Sequence, residues 1–198
     1  MKDLMTKANH TALFAYKAML RRFVSDRSGV GAVEFAIIVP ILLMIYITAF
    51  ELTIGFSVAK RATHAAGTVA DLVTQKTSVD KAYLKTMKHV SAAVFVPHDA
   101  SAMSLKVSGI KIDASGKATY FWSWADNDTR PYAVGATASV PSEMKIPNSF
   151  LIHSELSIPH ELLMFMPGMM PSTVKTISIN RNYYFRQRQG TEVACSNC

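Results

Sequence analysis

Residues 35–50 read FAIIVPILLMIYITAF, and this stretch decides the architecture. It holds no charged side chain, and Tyr46 and Thr48 supply its only hydroxyls. Extending it to Ala59 adds Glu51, Thr53 and Ser57 among Leu52, Ile54, Phe56 and Val58. About 20 apolar residues cross a bilayer as a helix, so Glu34–Lys60 is long enough. Glu34 and Glu51 lie 17 residues apart, which is about 25 Å at 1.5 Å per residue. The hydrocarbon core is about 30 Å thick, so the spacing predicts one carboxylate near each interface. A helix buried in a soluble core would need a large apolar layer around it, which the remaining sequence does not supply.

The flanks predict an orientation. Residues 1–29 carry Lys2, Lys7, Lys17, Arg21, Arg22 and Arg27 against Asp3 and Asp26. Only Lys60 and Arg61 follow the apolar segment closely. The positive-inside rule then puts the N-terminus in the cytoplasm and residues from 60 onward outside. A cleaved secretory signal fits poorly, because its basic region and apolar stretch would both be too long. Ser57-Val58-Ala59 is a weak small-x-small cleavage site. A membrane segment follows the basic leader at once, so lipid is the expected partner and nucleic acid is not.

Across all 198 residues, Lys+Arg number 21 and Asp+Glu 14, for a net charge of +7. Apolar residues make up 49% and charged ones 18%, which argues against a disordered chain. Two cysteines exclude a disulfide-dense miniprotein and a four-cysteine zinc site.

Between leader and apolar helix stands Ser28-Gly29-Val30-Gly31-Ala32-Val33-Glu34-Phe35. A carboxylate at mid-bilayer costs about 2.5–3.5 kcal/mol on insertion scales. At the first helical turn, where the sequence places it, Glu34 can reach the headgroups, and the helix dipole favours a negative charge there. Pro40 removes a helical N–H and is expected to kink or loosen the helix.

This motif resembles the processing site of type IV prepilins, with a basic leader, a Gly, Glu at the fifth mature position and an aromatic after it. Cutting after Gly29 makes Val30 the first residue, Glu34 the fifth and Phe35 the sixth. The wording GAVEFAIIVPILL looks like the TadE-like branch of the Tad (Flp, type IVc) pilus system, with Pro40 in the family's place. Lys60–Gly67, the pair Leu105–Ile112 and Tyr120–Ser123, Ser149–Leu156 and the basic Arg181–Arg188 are similar to later parts of that family. Ser157-Ile158-Pro159-His160 departs from it by lacking the expected aromatics. The resemblance implies a membrane-anchored minor pseudopilin, single-pass in a bacterial inner membrane with its C-terminal domain in the periplasm. It also implies processing by prepilin peptidase and partnership with other pilins and Tad inner-membrane assembly proteins. In such assemblies the fifth-position carboxylate is thought to pair with a neighbour's free N-terminus. Opposite charges are costly to leave unpaired at low dielectric, so that pairing favours one register of addition. The alternative is a signal-anchored periplasmic binding or adhesion module unrelated to pili.

Beyond the span, Ala65, Ala66, Val69, Leu72 and Val73 continue a helix over Thr63–Gln75, and Tyr83, Leu84, Met87, Val90 and Val94 mark a second over Asp80–Val94. Pro97 stops it. Leu105–Ile112 and Ala118–Trp124 then read as a hairpin around Asp113-Ala114-Ser115-Gly116. Strands are further expected at Phe150–Ser157 and Thr173–Phe185. Asp126-Asn127-Asp128 lacks the Gly and distal Glu of a calcium loop and reads as a solvated turn. The Met-rich run 164–170 is compatible with core, a second membrane contact or a subunit interface.

The expected fold is therefore α+β, a long N-terminal helix continuing outside the membrane and packed on a small antiparallel sheet, which is pilin-like. The expected regions are a leader at 1–29, a span at 30–59, external helices at 60–96, a β-rich domain at 97–190 and a tail at 191–198. That tail ends Cys195-Ser196-Asn197-Cys198, expected as a disulfide on a frayed terminus rather than a redox centre. His98-Asp99 beside Ser101 is too local to be a triad, and no HExxH, GxSxG or phosphate loop is present. We expect no enzyme, no cofactor and no metal site.

Overall fold

The computed structural model describes residues 29–162 and 176–198. The leader and the Met-rich run lie outside the described residues. The chain divides into two compact units, Met1–Ala49 and Phe50–Cys198. One helix, α1, runs Val30–Thr74 and passes through Pro40 without a break.

In the first unit, Val33, Phe35, Ile37, Ile41, Leu43 and Tyr46 are all exposed. Thr48 returns its hydroxyl to the Met44 carbonyl at 2.8 Å, so this donor is satisfied within the helix.

In the second unit the pattern of α1 changes. Val58, Ala62, Ala65, Ala66, Val69, Ala70 and Val73 are buried, at helical spacing, on one face. Then follow β1 (Ser78–Val79), α2 (Lys81–Phe95), β2 (Ser104–Ile112), β3 (Ala118–Ala125), β4 (Ser149–Glu161), β5 (Thr176–Arg186) and β6 (Ala194–Cys195). Asp80 caps α2, its carboxylate accepting from the Tyr83 amide at 2.7 Å. Arg61 on α1 donates to the carbonyls of Val94 and Val96, both at 2.8 Å, and so serves the open end of α2. The main sheet has the order β3-β2-β4-β5, all antiparallel. A small antiparallel sheet behind a long apolar helix is the expected α+β plan.

Strands β2, β3 and β4 are buried on both faces, whereas β5 is largely exposed. Leu105, Val107, Trp122, Trp124, Phe150, Ile152 and Ile158 join α1 and α2 in one core. Ile110, Ile112, Ala118, Tyr120 and Leu151 form a second core with Ala138 and Val140 from the long β3–β4 connection. A bulge makes this possible. Gly109 pairs with Trp122 and Ile110 with Tyr120, so Phe121 is extra on β3. Tyr120 thereby faces one core and Trp122 the other.

β4 runs to Glu161, four residues past the expected end at Ser157, and passes through Pro159. Gln187 N donates to Phe150 O, so even-numbered β4 residues bond to β5 and odd-numbered ones face β2. Pro159 therefore lacks its N–H on the side where β2 has already stopped, at the Ser104–Ser157 pair. The tail is also not frayed. β6 pairs in parallel with β1, and Asn197 accepts from Lys81 N at 2.8 Å. Trp122 Nε1 donates to Val193 O at 2.7 Å, and Cys195 and Cys198 are disulfide-bonded.

Gly109 tests this packing. A Cβ there would lie 2.5 Å from Trp122 Nε1 and 2.7 Å from Phe150. Gly109→Ala should destabilise the chain by about 1–3 kcal/mol, the cost of overpacking a filled core. Thermal unfolding in detergent reads this out, and an unchanged midpoint would show that Trp122 can move aside.

Candidate functional site

The sequence motif lies at the start of α1. Gly29 has open space around its Cα, and a side chain there would touch nothing within 4 Å. Val30 opens the helix, and Glu34 and Phe35 stand exposed in the second turn. Among the described residues Glu34 has no ion-pair partner. Pro40 is exposed, one turn and a half further along. The motif thus forms no pocket of its own; it is a strip on a bare apolar helix.

The helix is long and apolar enough to cross a membrane, and none of its most apolar window is buried. Residues 29–71 match the TadE-like protein family. The match begins at the motif glycine and ends within the buried stripe of α1, and over it the resemblance read from the sequence is borne out. TadE-like proteins are associated with Tad pili. No curated protein and no solved structure matches the chain.

The second carboxylate of the span is covered by the folded unit. Glu51 is only 5% exposed. Its Oε1 lies 3.7 Å from His160 Nε2, at the end of β4. The sequence did not reveal this neighbour because it is more than a hundred residues away.

Asp126-Asn127-Asp128 is a turn with Asn127 and Asp128 exposed, and it carries two ion pairs that the sequence did not show. Asp126 pairs with Lys88 and Asp128 with Lys85, each at 2.7 Å, which ties the β3 end to α2. Among the described residues no three His, Cys, Asp or Glu are grouped to hold a metal. Asp99 accepts from both the amide and the hydroxyl of Ser101, a local turn rather than a triad.

A polar cluster that the sequence did not reveal sits on the second face of the sheet. Tyr132 donates to Glu155 at 2.7 Å and stacks on Tyr120 with centroids 4.3 Å apart. His153 stacks on Tyr184 at 4.1 Å and places Nδ1 3.4 Å from Glu155. Lys106 lies 3.9 Å from the same carboxylate. Burial raises the Tyr132 phenol, and the Glu155 carboxylate beside it raises it further. Burial also holds His153 below its ordinary value, outweighing the opposite pull of Glu155. These groups are brought together by cross-strand register (Ser154, His153 and Glu155 opposite Tyr183, Tyr184 and Asn182), a relation that no single stretch of sequence displays.

His153 gives a pH prediction. The folded state resists protonating this imidazole, so between its ordinary value of 6.5 and its lower folded value the unfolded chain binds more protons. Its contribution to stability is complete above pH 6.5 and is lost as pH falls through the folded value. His153→Phe keeps a ring for Tyr184 and removes the titration. Melting temperatures of wild type and variant should diverge below pH 6.5, with wild type falling faster; parallel curves would show that His153 does not titrate as a buried group.

Proposed function

We propose that this chain is a membrane-anchored minor pseudopilin, an assembly component of a Tad (Flp, type IVc) pilus, and not an enzyme. The observation that carries the reading is the TadE-like match over 29–71, lying on a helix whose apolar side chains are exposed and which bears a carboxylate in its second turn. The basic leader is cytoplasmic, the domain after the span is periplasmic, and the membrane is the bacterial inner membrane.

In this reading prepilin peptidase cuts between Gly29 and Val30. The cut requires small, unhindered backbone at the scissile bond, and the open space around Gly29 is in keeping with that. The new α-amino group at Val30 lies about one turn from Glu34 on the same helix. Within the bilayer each charge then seeks an opposite one, and a neighbouring subunit offers it. Phe35 and the residues after it give the apolar face along which subunits and lipid pack. The partners are prepilin peptidase, other pilins and pseudopilins, and Tad inner-membrane assembly proteins.

The decisive measurement is the intact mass of the protein recovered from its host's membranes. Loss of residues 1–29 is expected, and Gly29→Ser should abolish it. Full-length protein in a host with active prepilin peptidase would overturn the processed form. Glu34→Leu should leave membrane insertion unchanged and stop pilus assembly. A variant that still assembles pili would leave a plain signal-anchored module as the better account.

A further inference from the structure

Phe50, Leu52 and Phe56 form an exposed apolar cuff on the α1 end of the folded unit, and Phe56 is 74% exposed. No large apolar residue of α1 is exposed beyond it. Lys60 follows one helical turn later, and His64 one turn after that. If α1 crosses the bilayer, as the proposed function holds, these positions stand at headgroup level.

They also line a groove of about 560 Å³. One wall is the flank of α1, with Lys60, Thr63, His64, Gly67, Thr68 and Asp71. The other is the outermost strand β5 and its continuation, with Tyr183, Phe185 and Arg188. Gly67 leaves the Tyr183 ring uncovered, since even a methyl there would sit 3.6 Å from it.

The two ends of the groove differ in charge. At the far end Arg188 is matched by Asp71 at 2.8 Å. At the cuff end the cations have no such match. Arg181 donates only to neutral oxygens, the Thr63 hydroxyl at 3.1 Å and the Asn180 carbonyl at 2.8 Å. Among the described residues no carboxylate lies within ion-pair distance of Lys60 or Arg181. Elsewhere in this unit Lys85, Lys88, Lys106 and Lys111 each have one, while Arg130 and Lys145, like Lys60 and Arg181, have none among the described residues.

We infer that the cuff end of this groove binds the headgroup of an anionic phospholipid. The phosphate sits between Lys60 and Arg181, where each cation gains a charged acceptor. The glycerol or other polar remainder reaches toward His64 and Tyr183. The acyl chains return along Phe56, Leu52 and Phe50, which is the reason for choosing a lipid over a free anion. Such a ligand fixes the height and tilt of the folded unit against the bilayer, because Lys60 is on α1 and Arg181 is on the sheet.

The test uses the full chain in mild detergent and native mass spectrometry. Dioleoyl phosphatidylglycerol and dioleoyl phosphatidylcholine are the probes. Wild type should retain the anionic lipid about tenfold over the zwitterionic one, as two surface cations provide. Lys60→Gln with Arg181→Gln should remove the preference. Lys60→Gln alone should weaken it, and this variant leaves every bond described above intact. Arg130→Gln with Lys145→Gln removes the same charge from exposed positions outside the groove and should change nothing. Equal retention of both lipids, or equal behaviour of the two double variants, overturns the site. Displacement of the lipid by excess inorganic phosphate shows a free-anion site and overturns the lipid assignment. Failure of the chain to fractionate with membranes overturns the anchor itself and this inference with it, whereas insertion without lipid preference overturns only the latter.

Discussion

The contact between the alanine–valine stripe of α1 and the sheet sets the geometry of the folded unit. Ala62, Ala65, Ala66, Val69, Ala70 and Val73 are all fully buried. Small side chains let the helix axis approach closely, and the sheet supplies the bulk as Trp122, Trp124, Phe150 and Ile152. Each large side chain buried there is worth about 1.5–3 kcal/mol. The same contact decides which residues of α1 remain available. With one face committed to the core, Lys60, Thr63, His64 and Gly67 are left on the flank beside β5.

Much of this was legible. The 3.6-residue period in 63–75 and 80–94 located both external helices, because apolar faces must be buried and their spacing is local. The 105–112 and 118–124 hairpin followed from alternation around a Gly turn. What escaped was set by neighbours distant in sequence. Nothing local says that β2 ends before it could meet Pro159, so the strand's continuation to Glu161 could not be read from the sequence. The extra Phe121 is invisible until β3 is registered on β2. The tail seemed free because its partners, Thr77, Val79 and Lys81, lie more than a hundred residues upstream.

The candidate site was legible in a different way. Gly29, Glu34, Phe35 and Pro40 were found by their order and spacing, and the structure adds only that all four are exposed. The polar cluster around Glu155 is the reverse case. Its members come from β2, β4, β5 and the loop after β3, and only the folded register unites them. It occupies a sheet face that must be covered, and a covered carboxylate must be hydrogen-bonded. Tyr132 meets that demand, and in doing so holds the long β3–β4 connection over the second core.

The two carboxylates of the apolar segment make the strongest contrast in the molecule. Both sit on one helix among aliphatic residues, and both carry the same cost of removal from water. Glu51 is enclosed by its own chain and faces His160. Glu34 is exposed, and among the described residues no cation meets it. A carboxylate kept in an apolar span, with no partner among the described residues, has its charge met by water or by a cation from beyond those residues. Water at the bilayer surface is one source and would ask nothing of the residues around it. The Gly29 and Phe35 beside it are not needed for that, since among the described residues nothing crowds Gly29 and Phe35 is exposed. The proposed cut after Gly29 would create such a counter-charge on another subunit and would account for all three residues together, which is the reason for proposing assembly over a plain anchor.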